Sequence, residues 1–228
     1  MHPSETELSY SAITQAYDRI KNHVKRTPIM ESSLLNKWMG HRILFKAECL
    51  QTIGAFKLRG AMNFLSHLDE RGELPKKVVA NSSGNHAQAV SYAAAKYGIP
   101  ATIFASETIS PIKAAATESY GATLKLFPPR QEADIAVANV AEEEGTVWIP
   151  PFNHPDIVAG QGTAAMEALE DTGKVDAIFA PCGGGGLLSG TLLAARALQP
   201  DALVIGAEPL AANDASQSLQ QGEIVALD

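Results

Sequence analysis

Cysteine is scarce: Cys49 and Cys182 are the only two in 228 residues. Far apart in sequence, they suggest neither a disulfide framework nor a zinc motif, and they point to a reducing compartment. No uninterrupted apolar run approaches the roughly 18 residues that a membrane-spanning helix needs. The N-terminal stretch MHPSETELSY lacks the basic and apolar regions of a signal peptide, so the expectation is a cytoplasmic protein. Positive charge is in deficit, with 18 Lys and Arg against 25 Asp and Glu and a formal net charge of −7. That balance argues against a grip on nucleic acid or anionic lipid, and any anion must be caught by a local site. Internal repeats and low-complexity segments are also missing. What remains is an ordinary globular composition, 46% apolar and 19% charged, long enough for one large domain or two small ones.

Periodicity supplies the organisation. Tyr10, Ile13, Tyr17, Ile20 and Val24 recur at three- and four-residue steps, which predicts a helix over 8–25 closed before Pro28. Apolar runs at 42–47, 77–80, 101–105, 123–127, 177–180 and 203–207 predict strands. Helical patterns follow them at 63–68, 87–97, from Pro111 to about Gly121, at 134–144 and at 187–198. Strand, glycine turn and helix in alternation signify an α/β fold around largely parallel sheet, whose ligands sit at the carboxyl ends of strands. The proline-rich stretch 150–156 is expected to be the crossing between subdomains.

Three turns could carry chemistry. In PCGGGGLL, four glycines between a strand and a helix leave backbone N–H groups unobstructed at the positive end of the helix dipole. That suits a phosphate, although a flexible turn would read the same way. Gly184, Gly186 and Gly190 with Glu208 also resemble a loosened dinucleotide fingerprint, but Ser189 stands where its third glycine belongs. In GAFKLRGA, Lys57 opens a helix beside a glycine turn, where the dipole and partial burial would favour a neutral, nucleophilic amine. A lysine in a first turn is otherwise a solvated surface residue, and Arg59 reads as structural. In SSGNHAQ, hydroxyls, an amide and an imidazole at a helix start suit a carboxylate, whereas plain N-capping by Ser82 or Ser83 is the simpler reading.

Taken together, GAFKLRGA, SSGNHAQ, IVAGQGT (157–163), PCGGGGLLSG and GAEPLAAND (206–214) resemble the fold-type II pyridoxal-phosphate enzymes, within the threonine/serine dehydratase and serine racemase group. The resemblance covers nearly the whole chain. It implies an α/β fold of two open, twisted, mostly parallel sheets flanked by helices, like the tryptophan synthase β-subunit. Residues 1–72 and 154–228 would form a large cofactor-binding domain, and 73–153 a small substrate-side domain. Lys57 would hold the cofactor as a Schiff base and act as catalytic base, with Ser83 as the second catalytic residue. Gly183, Gly184, Gly185, Gly186 and Leu187 would hold the phosphate, Asn85 the ring hydroxyl, and Phe56 would pack beside the ring. Ser82, Ser83, Asn85 and His86 would receive the substrate carboxylate. Glu208, the Ala212 carbonyl and Asp214 match a divalent-cation site, and such hard oxygen donors suit Mg²⁺ or Ca²⁺.

The implied activity is an ammonia-lyase converting L-serine- or L-threonine-type hydroxy amino acids to 2-oxo acids and ammonia; a homodimer is expected only as the default for soluble enzymes of this kind. Racemisation, with Ser83 protonating the opposite face, is the alternative. A nicotinamide-dependent oxidoreductase and a non-catalytic cofactor carrier are the rivals from other classes. Two departures stand out. Ile53 occupies a position usually held by threonine, and the chain ends at Asp228 where the family continues, so a truncated chain is expected, without its partner for the pyridine nitrogen.

Overall fold

The computed structural model of the chain describes residues 8–128 and 130–225. Helix α1, Tyr10–Ile20, is capped by the Ser9 hydroxyl, which accepts from the Ala12 N–H at 3.3 Å. It stops five residues short of the expected end, because His23 and Val24 both turn their N–H groups back to the Ile20 carbonyl. Strand β1 (Ile29–Glu31), helix α2 (Ser33–Met39) and strand β2 (Leu44–Lys46) follow, and the two strands pair antiparallel, with Met30 opposite Phe45. Neither β1 nor α2 was expected, since three residues are too few for an alternation and α2 buries none of its side chains.

The strands and helices expected next are present. They are α3 (Lys57–Glu70), β3 (Lys77–Asn81), α4 (Asn85–Lys96), β4 (Ala101–Ser106), α5 (Pro111–Ser119), β5 (Thr123–Phe127) and α6 (Arg130–Ala141). A short strand β6 (Thr146–Trp148) and the 18-residue helix α7 (Pro155–Thr172) are additional. They are followed by β7 (Ala177–Pro181), α8 (Gly186–Leu198), β8 (Leu203–Ala207) and α9 (Asp214–Gln221). The main sheet is four-stranded and wholly parallel in the order β5-β4-β3-β6, and β7 pairs parallel with β8. Such sheets are buried on both faces. Accordingly Val78, Ala80 and Ile103 pack with Ala89 and Val90 of α4, while Val79 and Phe104 pack with Ala133 and Val137 of α6. The largest apolar cluster also takes in Leu58, Met62 and Leu65 of α3 and Ile157 of α7, so it crosses the boundary expected near residue 72.

Helix α7 is the central post. A β-carbon at Gly160 would lie 2.6 Å from the Arg59 carbonyl oxygen, and one at Gly190 would lie 2.7 Å from Gly162 Cα. Helices α3, α7 and α8 therefore meet backbone to backbone, which fixes the amino end of α3 relative to that of α8. A buried ion cluster reinforces the contact. Arg59, fully buried, donates to Glu48 at 2.8 Å and to both oxygens of Glu167 at 2.8 Å, and Lys46 meets Glu167 at 2.7 Å. Burial alone would push the guanidinium down; the bonds to Glu48 and Glu167 more than reverse that and hold it ionised. The structural reading of Arg59 is thus borne out.

Arg59→Met should cost about 3–5 kcal/mol in urea unfolding at neutral pH, because it removes the shared cation between the buried Glu167 and the partly buried Glu48, leaving Glu167 with Lys46 alone. A loss below about 1 kcal/mol would reject the cluster as a structural tie.

Candidate active site

In the main sheet the order reverses at β3: β4 and β5 extend to one side, and β6 lies on the other. In open α/β sheets a crevice for ligands lies outside the carboxyl ends of strands at such a switch point. At that point lie the carboxyl ends of β3 and β6, followed by the turn of residues 82–84 and the segment of residues 149–154. That segment is a strap rather than a passive link. Ile149 N–H extends the ladder to the Val79 carbonyl at 2.9 Å. The Ile149 carbonyl accepts from His86 Nε2 at 2.9 Å, and the Pro151 carbonyl accepts from Lys57 Nζ at 2.6 Å. Phe152 lies against the glycine turn, where a β-carbon at Gly184 would overlap its ring and one at Gly186 would sit 2.8 Å from its carbonyl oxygen. All three turns singled out in the sequence meet on residues 149–152.

Lys57 is the first residue of α3, after a turn in which Gly54 takes φ +74°. Its half-buried ammonium has no acidic partner among the described residues, and its nitrogen lies 5.5 Å from the Phe56 ring centroid. Burial lowers its pKa to about 8, so a substantial fraction is neutral near physiological pH. The expectation of a lowered lysine pKa therefore has a physical cause in desolvation.

The glycine turn joins β7 to α8. Gly185 caps α8 with φ +82° and no side-chain hydrogen bond, so the first N–H groups of the helix are left to a ligand. Beta-carbons at Gly183 and Gly185 would meet nothing within 4 Å. Leu187, half-buried, sits in the first turn of α8. An amine inclined to be neutral and an uncapped, open anion cradle, linked through one strap, fit an aldehyde bearing a phosphate.

In the turn after β3, the Ser82 hydroxyl accepts from Gly84 N–H at 3.1 Å and the Ser83 hydroxyl from Ser106 N–H at 2.9 Å. Asn85 is exposed at the start of α4. His86 is placed differently from the expectation: its side chain is 3% exposed and turned into the fold toward Ile149. Burial, with the nearby Lys57 charge, pushes its pKa down to about 4, against the hydrogen bond to Ile149. Its backbone N–H lies in the first turn of α4.

The expected cation ligands lie beyond β8. Glu208 is engaged as a helix cap, accepting from Ala215 N–H at 3.1 Å and Ser216 N–H at 2.9 Å at the start of α9, whose first residue is Asp214. Ala212 is exposed, its N–H turned to the Pro209 carbonyl at 2.9 Å. Burial and the charges of Glu208 and Asp214 push the Cys182 thiol up. No group of three or more His, Cys, Asp or Glu side chains suited to a metal occurs among the described residues. Residues 149–152 were missed by sequence reasoning; a signal existed in Thr146–Trp148, three β-prone residues running straight into the prolines.

No helix among the described residues is long and apolar enough to cross a membrane. The sequence profile described as "Pyridoxal-phosphate dependent enzyme" matches residues 20–228. L-threo-3-hydroxyaspartate ammonia-lyase from Saccharomyces cerevisiae is 46% identical over 218 residues, covering 95% of this chain and 67% of that one. Serine racemase from Schizosaccharomyces pombe is 43% identical over 221 residues, covering 96% and 68%. The crystal structure of threonine deaminase from T.th. superposes with a TM-score of 0.91 at 41% identity, covering 96% of this chain and 71% of that one. The dinucleotide reading of the glycine turn is superseded, and its supposed ribose acid, Glu208, caps a helix instead. By profile, by relatives and by the geometry of the amine and its cradle, the chain belongs to the fold-type II pyridoxal-phosphate enzymes, in the family of ammonia-lyases and serine racemases.

Proposed function

We propose that the protein is a pyridoxal-phosphate-dependent ammonia-lyase acting on small β-hydroxy amino acids of the serine and threonine type. The observation that carries this reading is Lys57, a half-buried amine of lowered pKa held by the strap at the switch-point crevice. Residues 183–187 would bind the phosphate, Phe56 would pack beside the ring and Asn85 would bond its hydroxyl. The α-carboxylate would be received by the backbone N–H groups that open α4, those of Asn85 and His86, with the hydroxyls of Ser82 and Ser83. Bound pyridoxal phosphate supplies an electron sink for charge left on the α-carbon. Lys57 Nζ, once neutral and free, takes the α-proton as general base. The substrate loses its β-hydroxyl as water, with the proton that Lys57 took from the α-carbon, and the free enamine product tautomerises and takes up water to give a 2-oxo acid and ammonia. Similarity to a hydroxyaspartate ammonia-lyase adds 3-hydroxyaspartate to the candidate substrates.

One observation favours racemisation as a second activity. The Ser83 oxygen accepts from Ser106 N–H and keeps its own proton to donate, as a donor on the opposite face would need. The division into 1–72 with 154–228 and 73–153, the homodimer and the cytoplasmic setting belong to the same proposal; two free cysteines suit a reducing compartment. So does a divalent cation at Glu208, the Ala212 carbonyl and Asp214, supported by two carboxylates and a carbonyl within seven residues.

Ammonia release from L-serine, L-threonine and L-threo-3-hydroxyaspartate, with chiral analysis of residual serine, tests the reading. Lys57→Ala should abolish both ammonia release and the long-wavelength absorbance of lysine-bound cofactor; turnover retained by that variant sinks the assignment. Normal absorbance with no ammonia from any substrate would favour the carrier reading. Because only the neutral amine attacks an aldehyde, cofactor attachment should accelerate about tenfold per pH unit below pH 8 and level off above it. Gly184→Ala should weaken cofactor binding by at least about tenfold in an equilibrium titration, since the added carbon collides with Phe152 and displaces the strap.

A further inference from the structure

His86 carries the only buried side-chain nitrogen, apart from Gln161 Nε2, that lacks a hydrogen-bond partner among the described residues. Its Nε2 is committed to the Ile149 carbonyl at 2.9 Å. A carbonyl can only accept, so Nε2 bears the hydrogen, and the buried Nδ1 is left as a bare lone pair. Protonating Nδ1 would create a buried N–H and a buried charge with nothing to receive either, a costly state in the interior. The ring is thereby confined to one tautomer and to the neutral form, and burial holds it there down to a pKa of about 4.

The bond from His86 crosses from the turn after β3 to the segment after β6. The next carbonyl but one along that segment, Pro151, holds Lys57 Nζ. Proline lacks an N–H, so neither Pro150 nor Pro151 can fasten the strap by donating from its own backbone. The fastening here comes from Ile149, through its N–H to Val79 and its carbonyl to His86.

We infer that His86 is a positioning residue for Lys57, a neutral clasp that holds the strap closed over the amine and keeps water from it. This rests on the assignment of Lys57 as the cofactor-binding amine. A cationic clasp would add a second positive charge beside that amine; a neutral Nε2–H donor secures the strap without one. The role differs from receiving a substrate carboxylate, which the backbone N–H of the same residue remains free to do.

The test compares His86→Gln, whose amide N–H lies near the position of Nε2, with His86→Leu, which fills the space and donates nothing. In the full chain, Lys57 is labelled with pyridoxal phosphate and borohydride across a pH series, and the modified peptide is quantified by mass spectrometry. Wild type and His86→Gln should share a midpoint near pH 8, while His86→Leu should move more than one unit upward as water reaches the amine. A wild-type midpoint in His86→Leu, or an equal shift in both variants, overturns the clasp. Should His86→Leu fail to fold, ¹⁵N NMR of wild type decides: His86 should stay neutral with hydrogen on Nε2 from pH 5 to 9. Hydrogen on Nδ1, or an imidazolium above pH 6, overturns the proposal. A failure of the lyase reading would look different, with Lys57 titrating as described and no ammonia produced.

Discussion

The contact on which the site depends is the 2.6 Å hydrogen bond from Lys57 Nζ to the Pro151 carbonyl. It joins two walls that approach from different directions. Helix α3 arrives with Lys57 at its first residue, anchored behind by Arg59 in the ion cluster with Glu48 and Glu167. Residues 149–152 arrive from β6, anchored by Val79 and His86 and leaning through Phe152 on the glycine turn. A lysine opening a helix would ordinarily reach into water with its pKa near the free value. Covered by the strap, it loses hydration and its pKa falls, which makes it a usable amine near neutrality.

The scaffold makes this approach possible by removing side chains where backbones must meet. Gly160 admits the Arg59 carbonyl and Gly190 admits the backbone of Gly162, so α7 holds the amino ends of α3 and α8 in fixed relation. Those two ends are the lysine and the anion cradle. The precision of the site thus originates about one helical turn behind it, in a ridge of glycines with no chemistry of their own.

Much of this was legible in the sequence. Each chemical turn carries glycine, so local pattern put residues 82–86 and 183–187 at strand ends and Lys57 at a helix start, while the resemblance of all five motifs to one family was needed to raise Lys57 above a surface lysine. The parallel sheet followed from the strand–helix alternation. What stayed hidden has physical reasons. Helix α7 buries thirteen of its eighteen residues on nearly all sides, so it shows no amphipathic stripe. Strand β6 is only three residues long, and without it the reversal of strand order at β3 could not be seen. The prolines at 150 and 151 carried the usual signature of a linker; only tertiary structure reveals that the second of them turns its carbonyl to an amine. The inward turn of His86 likewise depends on Ile149, sixty-three residues away.

The pair β7 and β8 buries Ile178 and Val204 against α1, α7 and α8, while Phe179, Leu203 and Ile205 on its outer face remain in solvent. An apolar face of this kind attracts its own kind, and a net charge of −7 opposes the encounter. The balance is ionic-strength dependent, because the Debye length contracts from about 10 Å at 0.1 M salt to about 3 Å at 1 M. Charge repulsion therefore opposes contact through that face in dilute buffer, and concentrated salt weakens the opposition.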